Sequence, residues 1–430
     1  MTVLDITDLH ASLRAPVLGS FDFLNEVMLR YPEAISFAPG APHPAFFDDI
    51  DVQRSIDVFL DHLVRDRGFT AAAARRLIVE YGPNRGIINH LLAEALRRDQ
   101  GIDVPAPSVV VTVGAQEAIL LVLRALFRSP ADVLAVANPC YVGVTGAAQL
   151  LDVTLVPINE TDDGIDIDLL ELACRTTRRE GHRIRACYVA TDFSNPGGTR
   201  MTPRRRSELL ALAAREDFLV LEDNTYGFTA AEDTPIPCLK TMDVDRRVIY
   251  VGSSSKVCFP GARVGYVIAD QRVTGVDGQG ERLLADELAA LKSMVTMNTS
   301  PVTQAVIGGM LLANGGSIAE FSRDKARLYR RNLGRLLAAL DRELADQERI
   351  GWNRPEGGFF VRVRLPVSVD LDLLEISAAE YGVLWTPMAQ FYLDGTGDNQ
   401  LRLACSYLEP DEIDEGAQRL GTFLRKEVRP

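Results

Sequence analysis

Residues 251–266, VGSSSKVCFPGARVGY, carry one lysine on a shelf of hydroxyl side chains, with an arginine seven positions further along. The lysine is Lys256, the shelf is Ser253, Ser254 and Ser255, and Arg263 follows a Pro260-Gly261 turn. A lysine amine forms Schiff bases with carbonyl compounds. Hydroxyls and a guanidinium together bind phosphate, because they supply directed donors and a positive charge. Further candidates lie elsewhere. Asp223 opens DNTYG with Tyr226 three residues on, Asn195 precedes a Pro-Gly turn in SNPGG, and Tyr141 lies in NPCYVG. Gly114, Ala115 and Gln116 open a helical pattern in GAQEA; the free backbone N–H groups of such a helix start attract an anion. Arg402 sits inside the apolar run LRLACSY, an unusual place for a charge without a partner.

Apart from Arg402, these residues stand at the ends of short β-branched runs. The runs are VVVTVG (109–114), VLAVANP (133–139), ACYVATD (186–192), FLVLED (218–223) and VIYVGSS (248–254); TLVPI (154–158) and VGYVIAD (264–270) complete a set of seven. Amphipathic stretches such as AQEAILLVLRALF and RSELLALAARE separate most of them. Near-continuous apolar strands between helices predict an α/β fold with a mostly parallel seven-stranded sheet covered on both faces. Ligands of such sheets bind beyond the carboxyl ends of the strands. The candidates therefore converge on one edge: a lysine, a carboxylate, an asparagine, two tyrosines and an anion site. That set is what pyridoxal 5'-phosphate (PLP) requires. The lysine would take the aldehyde, the carboxylate would keep the pyridine nitrogen protonated, the asparagine and a tyrosine would contact the phenolic oxygen, and a second aromatic ring would stack on the cofactor face.

The rest of the chain fits a globular enzyme. Its 430 residues exceed one ordinary core, so a large domain and a smaller one are expected. After about residue 300 the pattern becomes a long helical stretch, SIAEFSRDKARLYRRNLGRLLAALDRELAD, followed by GGFFVRVRL, GVLWTPM and LRLACSY. We read 1–50 as an N-terminal segment, with the Pro-rich FAPGAPHPAFF packing across both domains, 51–305 as the large domain and 306–430 as a small α+β domain. The net charge of -13 argues against a nucleic-acid partner. No apolar run reaches the ~18 residues of a membrane span, and the start MTVLDITDLH lacks signal-peptide character. Six scattered cysteines without CxxC spacing read as reduced cytoplasmic thiols, with Cys140 and Cys258 as packing residues. Five scattered histidines offer no metal site. ETDDGIDID does not fit a calcium loop and reads as a solvated turn, and Arg204, Arg205 and Arg206 read as the solvated face of a helix.

Over nearly its whole length the chain resembles the fold-type I PLP enzymes of the class I/II aminotransferases, which have an aspartate aminotransferase-like fold. Within them it is similar to the subgroup of 2-aminoadipate and kynurenine aminotransferases and MocR catalytic domains. The stretches FDFLNEVMLRYPEAISFAPG, YGPNRGII, VVVTVGAQEA, YVGVTGAA and PGARVGY look like those of arylglycine (3,5-dihydroxyphenylglycine) aminotransferases. The resemblance implies that Lys256 binds the cofactor and moves the Cα proton, that Asp223 partners the pyridine nitrogen, and that Tyr226 and Asn195 contact the phenolic oxygen. It assigns Tyr141 to stacking and Ala115, Gln116, Ser253, Ser255 and Arg263 to the phosphate cup. It also implies that Tyr81 reaches a neighbouring subunit's phosphate in a homodimer, that Arg402 grips the substrate carboxylate, and that Gly40 belongs to a segment closing over the substrate. His43 falls near the expected substrate mouth.

Four features depart from the family pattern. Gly197 replaces the threonine of NPTG, Ala115 replaces a serine, Ser254 stands where an aromatic is common, and cysteines stand at 140 and 258. The implied activity is amino transfer between an amino acid and a 2-keto acid, with an arylglycine as one expected product and specialised, antibiotic-type metabolism as the setting. The same cofactor also supports β- or γ-substitution, carbon–carbon bond formation and oxidation. A regulator of the MocR type would need an N-terminal DNA-binding domain, and only about 50 residues precede the catalytic pattern.

Overall fold

The computed structural model describes residues 2–14, 26–231, 235–275 and 280–428. Residues 21–25, the first five of the FDFLNEVMLRYPEAISFAPG likeness, lie outside that set. The seven β-branched runs form seven strands: β1 (Val109–Thr112), β2 (Asp132–Asn138), β3 (Leu155–Thr161), β5 (Arg183–Ala190), β6 (Leu219–Asp223), β7 (Val248–Ser253) and β8 (Gly265–Ile268). An eighth, the two-residue β4 (Gly164–Ile165), folds back antiparallel on β3. The sheet order is β1-β8-β7-β6-β5-β2-β3-β4. Contacts along β7-β6-β5-β2-β3 are parallel, whereas β8 runs antiparallel to both of its neighbours.

Every residue of β1 and β2 is buried, which explains apolar runs without alternation: helices cover both faces. Val110, Leu134, Val136 and Val251 pack on one side with Leu121 and Leu123 of the helix α2 (Gly114–Leu126). Val133, Ala135, Val189 and Val220 pack on the other with Leu209 and Leu212 of α3 (Pro203–Glu216). The helix α4 (Pro301–Ala313) lies on α1 (Val52–Arg65), and its Val306, Ile307 and Leu311 share a core with Phe59 and Leu63. All six cysteines are buried and unpaired.

The C-terminal part has its own core around Trp385, Leu401, Leu403 and Phe423. A four-stranded sheet, β9 (Gly351–Trp352), β10 (Phe360–Arg364), β12 (Gln400–Ala404) and β11 (Thr386–Pro387) in that order, packs with the 26-residue helix α5 (Ile318–Glu343) and with α6 (Pro410–Glu427). The N-terminal segment joins this part, because Ile35–Ser36 pairs with Val383–Leu384. Among the described residues no single helix is long and apolar enough to cross a membrane.

The three-arginine patch needs a correction. Arg206 is fully buried. Its guanidinium pairs with Asp192 at 2.8 Å and donates to the carbonyls of Met201, Thr191 and Pro237. It shares the inward face of its helix with Leu209 and Ala213, three and seven positions on, which helical periodicity places together.

Candidate active site

The carboxyl ends of the large sheet face a cavity of about 520 Å³. Lys256, Asp223, Tyr226, Asn195, Tyr141, Ala115, Gln116, Ser253, Ser255, Arg263, Arg402 and Gly40 line it, whereas Gly114, Ser254 and the 86% exposed Tyr81 do not. His43, expected near the mouth, is buried away from the wall, where its Nδ1 accepts from the Ala45 N–H. Lys256 follows β7 and donates from Nζ to the Gly40 carbonyl at 2.6 Å, which ties the N-terminal segment to the cavity. Burial lowers its amine to about 8, with help from the positive charges of Arg402 and Arg263. A cation in a low-dielectric site releases its proton more readily.

Asp223 ends β6 and is 8% exposed. It accepts from Tyr188 Oη at 2.9 Å and from the backbone N–H and hydroxyl of Thr225. Burial raises its pKa, while the Thr225 and Tyr188 hydrogen bonds oppose that rise. Among the described residues no cation pairs with it. A buried carboxylate with two neutral hydroxyl partners leaves room for an N–H⁺.

At the opposite end Arg263, in left-handed backbone geometry at φ +50, brings its Nη2 against the start of α2. A Cβ on Gly114 would stand 2.5 Å from that nitrogen, and one on Gly265 would stand 2.5 Å from the Gly114 carbonyl carbon. Both glycines therefore permit a close approach of guanidinium, strand and helix N-terminus. Arg263 Nη1 lies 3.4 Å from Ser255 Oγ, and the Ser255 N–H donates to Ser253 Oγ at 3.1 Å. Gln116 donates to the Gly143 carbonyl beside Tyr141, whose hydroxyl pKa burial raises.

The third corner is Arg402 of β12, 7% exposed. Nη1 donates to Asn195 Oδ1 at 2.7 Å, and Nη2 donates to the Ala38 carbonyl at 2.8 Å and to Thr386 Oγ1 at 3.3 Å. Its Nε is buried without a partner. Phe360 and Phe391 flank the guanidinium at 4.5 Å and 5.1 Å. Among the described residues no carboxylate pairs with it, and burial lowers its pKa to about 10. This is a preorganised anion receptor with an unused donor.

The aminotransferase class I and II family profile matches residues 57–420. The chain is 45% identical over 428 residues to the (S)-3,5-dihydroxyphenylglycine transaminase of Amycolatopsis orientalis, spanning 100% of this chain and 96% of that protein. It is 29% identical to the 2-aminoadipate transaminase of Thermus thermophilus, over 92% of this chain and 91% of the relative. The crystal structure of Pyrococcus horikoshii kynurenine aminotransferase, solved with PMP, superposes with a TM-score of 0.82 at 26% identity, covering 99% of both chains. The chain belongs to the class I and II aminotransferases. It is a PLP-dependent transferase with the aspartate aminotransferase-like fold, and it moves an α-amino group between an amino acid and a 2-keto acid. Amino transfer thus stands over the substitution and oxidation alternatives.

The cavity of this aminotransferase fits the cofactor by its donor set. It presents a depressed amine, an uncompensated buried carboxylate and, at the far end, a helix N-terminus with an arginine and two serines. Several wall residues escaped the sequence reading. Tyr188, a lone hydroxyl in an apolar strand, was the most legible of these. Thr225, Phe360, Thr386 and Phe391 carried no signal, since their positions depend on packing between distant segments. The departures have local explanations. Ala115 keeps its backbone N–H at the helix start. The Ser254 hydroxyl donates to the Val264 carbonyl and holds the lysine loop.

Proposed function

We propose that Lys256, Asp223 and Arg402 run this amino transfer on a substrate of the arylglycine type. The observation that carries the reading is their convergence in one cavity, in a chain alike over its full length to a dihydroxyphenylglycine transaminase. PLP, when bound, supplies an aldehyde that condenses with amines and a ring that withdraws electrons from the substrate Cα. Lys256 would hold that aldehyde, and its amine would take the substrate Cα proton as a general base. A lysine amine depressed to about 8 is suited to that task near neutral pH. Asp223 holds a proton on the ring nitrogen, steadied by Tyr188 and Thr225. Tyr226 and Asn195 would contact the phenolic oxygen, and Tyr141 would offer its ring to the cofactor face. Ala115, Gln116, Ser253, Ser255 and Arg263 hold the phosphate. Arg402 clamps the α-carboxylate, Gly40 closes the entrance beside Lys256, and the reaction turns an arylglyoxylate into an arylglycine or the reverse.

A neutral aromatic side chain suits the remaining wall. The cations among the described lining residues are Lys256, Arg263 and Arg402, all engaged above, while Met28, Val142, Phe360 and Phe391 offer apolar surface. The enzyme works as a homodimer in which Tyr81 serves the partner's phosphate. In support, Val79, Tyr81, Met294 and Val295 are exposed apolar side chains, and Gly82 packs against Pro301 and Asn298. The buried unpaired cysteines suit a cytoplasmic setting, and the named relative's substrate suits specialised metabolism.

The deciding experiment incubates the purified protein and PLP with a panel of amino and 2-keto acids, arylglycines included, and follows products by mass spectrometry. The expected result is an arylglyoxylate from the arylglycine, with the nitrogen recovered on the acceptor. Turnover of aliphatic or acidic donors with none of arylglycines would overturn the substrate assignment.

A further inference from the structure

The turn that carries Asn195 closes on a carboxylate. The Ser194 N–H donates to the Thr199 carbonyl at 2.9 Å, the Gly198 N–H to the Ser194 carbonyl at 2.7 Å, and the Thr199 N–H to Ser194 Oγ at 3.2 Å. Glu160, near the end of β3, reaches into this ring, and its Oε2 accepts from Thr199 Oγ1 at 2.9 Å. A Cβ on residue 197 would stand 2.6 Å from that oxygen and 3.0 Å from Ser194 Oγ. Gly197 does not have a positive φ, so its backbone conformation does not require glycine. The space is what a side chain would lack: the Glu160 carboxylate stands where a Cβ at 197 would go and would have to move aside.

Burial raises Glu160 to about 7. Thr199, Arg362 and Ser194 pull it down, and Asp162 pushes it up. On its other side the turn is held by the C-terminal sheet. Asn353 Nδ2 donates to the Gly197 carbonyl at 2.6 Å, and Arg402 donates to Asn195. The turn is thus clamped between Glu160 below and the substrate-binding arginine above. A hydrogen bond transmits position only if both of its partners are held.

We propose that Glu160 is a positioning residue: with Gly197 it forms a fitted pair that fills the turn and so sets where Asn195 and Arg402 stand. The inference rests on the roles assigned to Asn195 and Arg402 above. The test uses the holoenzyme with Glu160→Ala, Glu160→Gln, Gly197→Ala and the Glu160→Ala/Gly197→Ala double variant. Loss of one or two ordering hydrogen bonds predicts a rise of about five- to tenfold in the KM of the amino donor, with kcat changed by less than about twofold, in either alanine variant. The pH at which the visible absorption of the bound cofactor titrates moves with it, because Asn195 contacts the cofactor.

Because both substitutions break the same contact, the double variant matches Glu160→Ala rather than multiplying the two effects. Glu160→Gln, which keeps shape and an acceptor, stays within about twofold of the parent enzyme. An unchanged KM and spectral titration in Glu160→Ala overturns the proposal. So does a multiplicative double variant, or a Glu160→Gln as impaired as the alanine. Should Glu160→Ala not fold, Gly197→Ala carries the same expectation. Borohydride labelling of Lys256 in the parent enzyme tests the underlying roles separately. With that adduct present, a silent Glu160→Ala counts against Glu160 alone.

Discussion

The two ends of the cavity are built differently. The anion end is local: Ser253, Ser255 and Arg263 lie within one short stretch, and the helix start at Gly114 meets it through a glycine-to-glycine approach. The Arg402 end is assembled from far-apart pieces. Its guanidinium bonds Asn195 of the turn after β5, Ala38 of the N-terminal segment and Thr386 of the small sheet. A local cradle depends on turn and cap geometry. An assembled one depends on the docking of three segments, and any shift among them moves the Arg402 guanidinium. The anion end should therefore govern how tightly the cofactor stays, and the Arg402 end how well a substrate is gripped.

Removing the residue that both ends serve gives the largest expected effect. Lys256→Ala lowers amino transfer by about a thousandfold or more, as expected for a nucleophile that is also the general base. The measurement is keto acid production, together with loss of the borohydride adduct on the peptide holding residue 256. The next pair separates the ends. Arg402→Ala lowers kcat/KM for the amino donor by about a hundredfold, through loss of charge-assisted hydrogen bonds, and leaves cofactor affinity within about twofold. Arg402→Lys recovers only part of that, because a point charge does not replace a fork of donors.

Arg263→Ala does the opposite, weakening cofactor binding by about tenfold or more in equilibrium dialysis while the KM at saturating cofactor moves little. Equal loss of both quantities in either variant would erase the distinction between the ends. Smaller effects sharpen it. In cofactor-free enzyme the folded state holds the Lys256 proton less tightly than free lysine does. The neutral amine then becomes the majority form above about pH 8, and amine-directed labelling of the 256 peptide rises through that pH rather than near 10.5. Tyr188→Phe gives the smallest change, about two- to fivefold in kcat, by removing one hydrogen bond from Asp223. It also raises the Asp223 pKa, because that bond favours the charged form.

Legibility in the sequence follows the same divide. The seven strands were readable because buried parallel strands need unbroken β-branched runs, and the residues at their ends were readable from Asn-Pro, Asp-Asn and Ser-Ser-Ser-Lys punctuation. Arg206 misled because three consecutive arginines look like one patch, although a helix turns each onto a different face. Thr386 and Phe391 gave no signal, because nothing local marks a residue that matters only through contact with Arg402. Gly197 stood out only as a departure from NPTG, and its fit around Glu160 was silent, because that contact comes from the end of a separate strand.

By itself the sequence determined the sheet, the lysine loop and the chemical kind of each strand-end residue. These depend on periodicity and turn chemistry, which act over a few neighbouring positions. Only the tertiary structure decided that Arg402 of the small sheet faces Asn195 of the turn beyond the large one, that Gly40 lies on Lys256, and that Asp223 has no cation of its own among the described residues. Those facts are set by burial and by distances between segments hundreds of residues apart, where pattern along the chain carries no information about proximity in space.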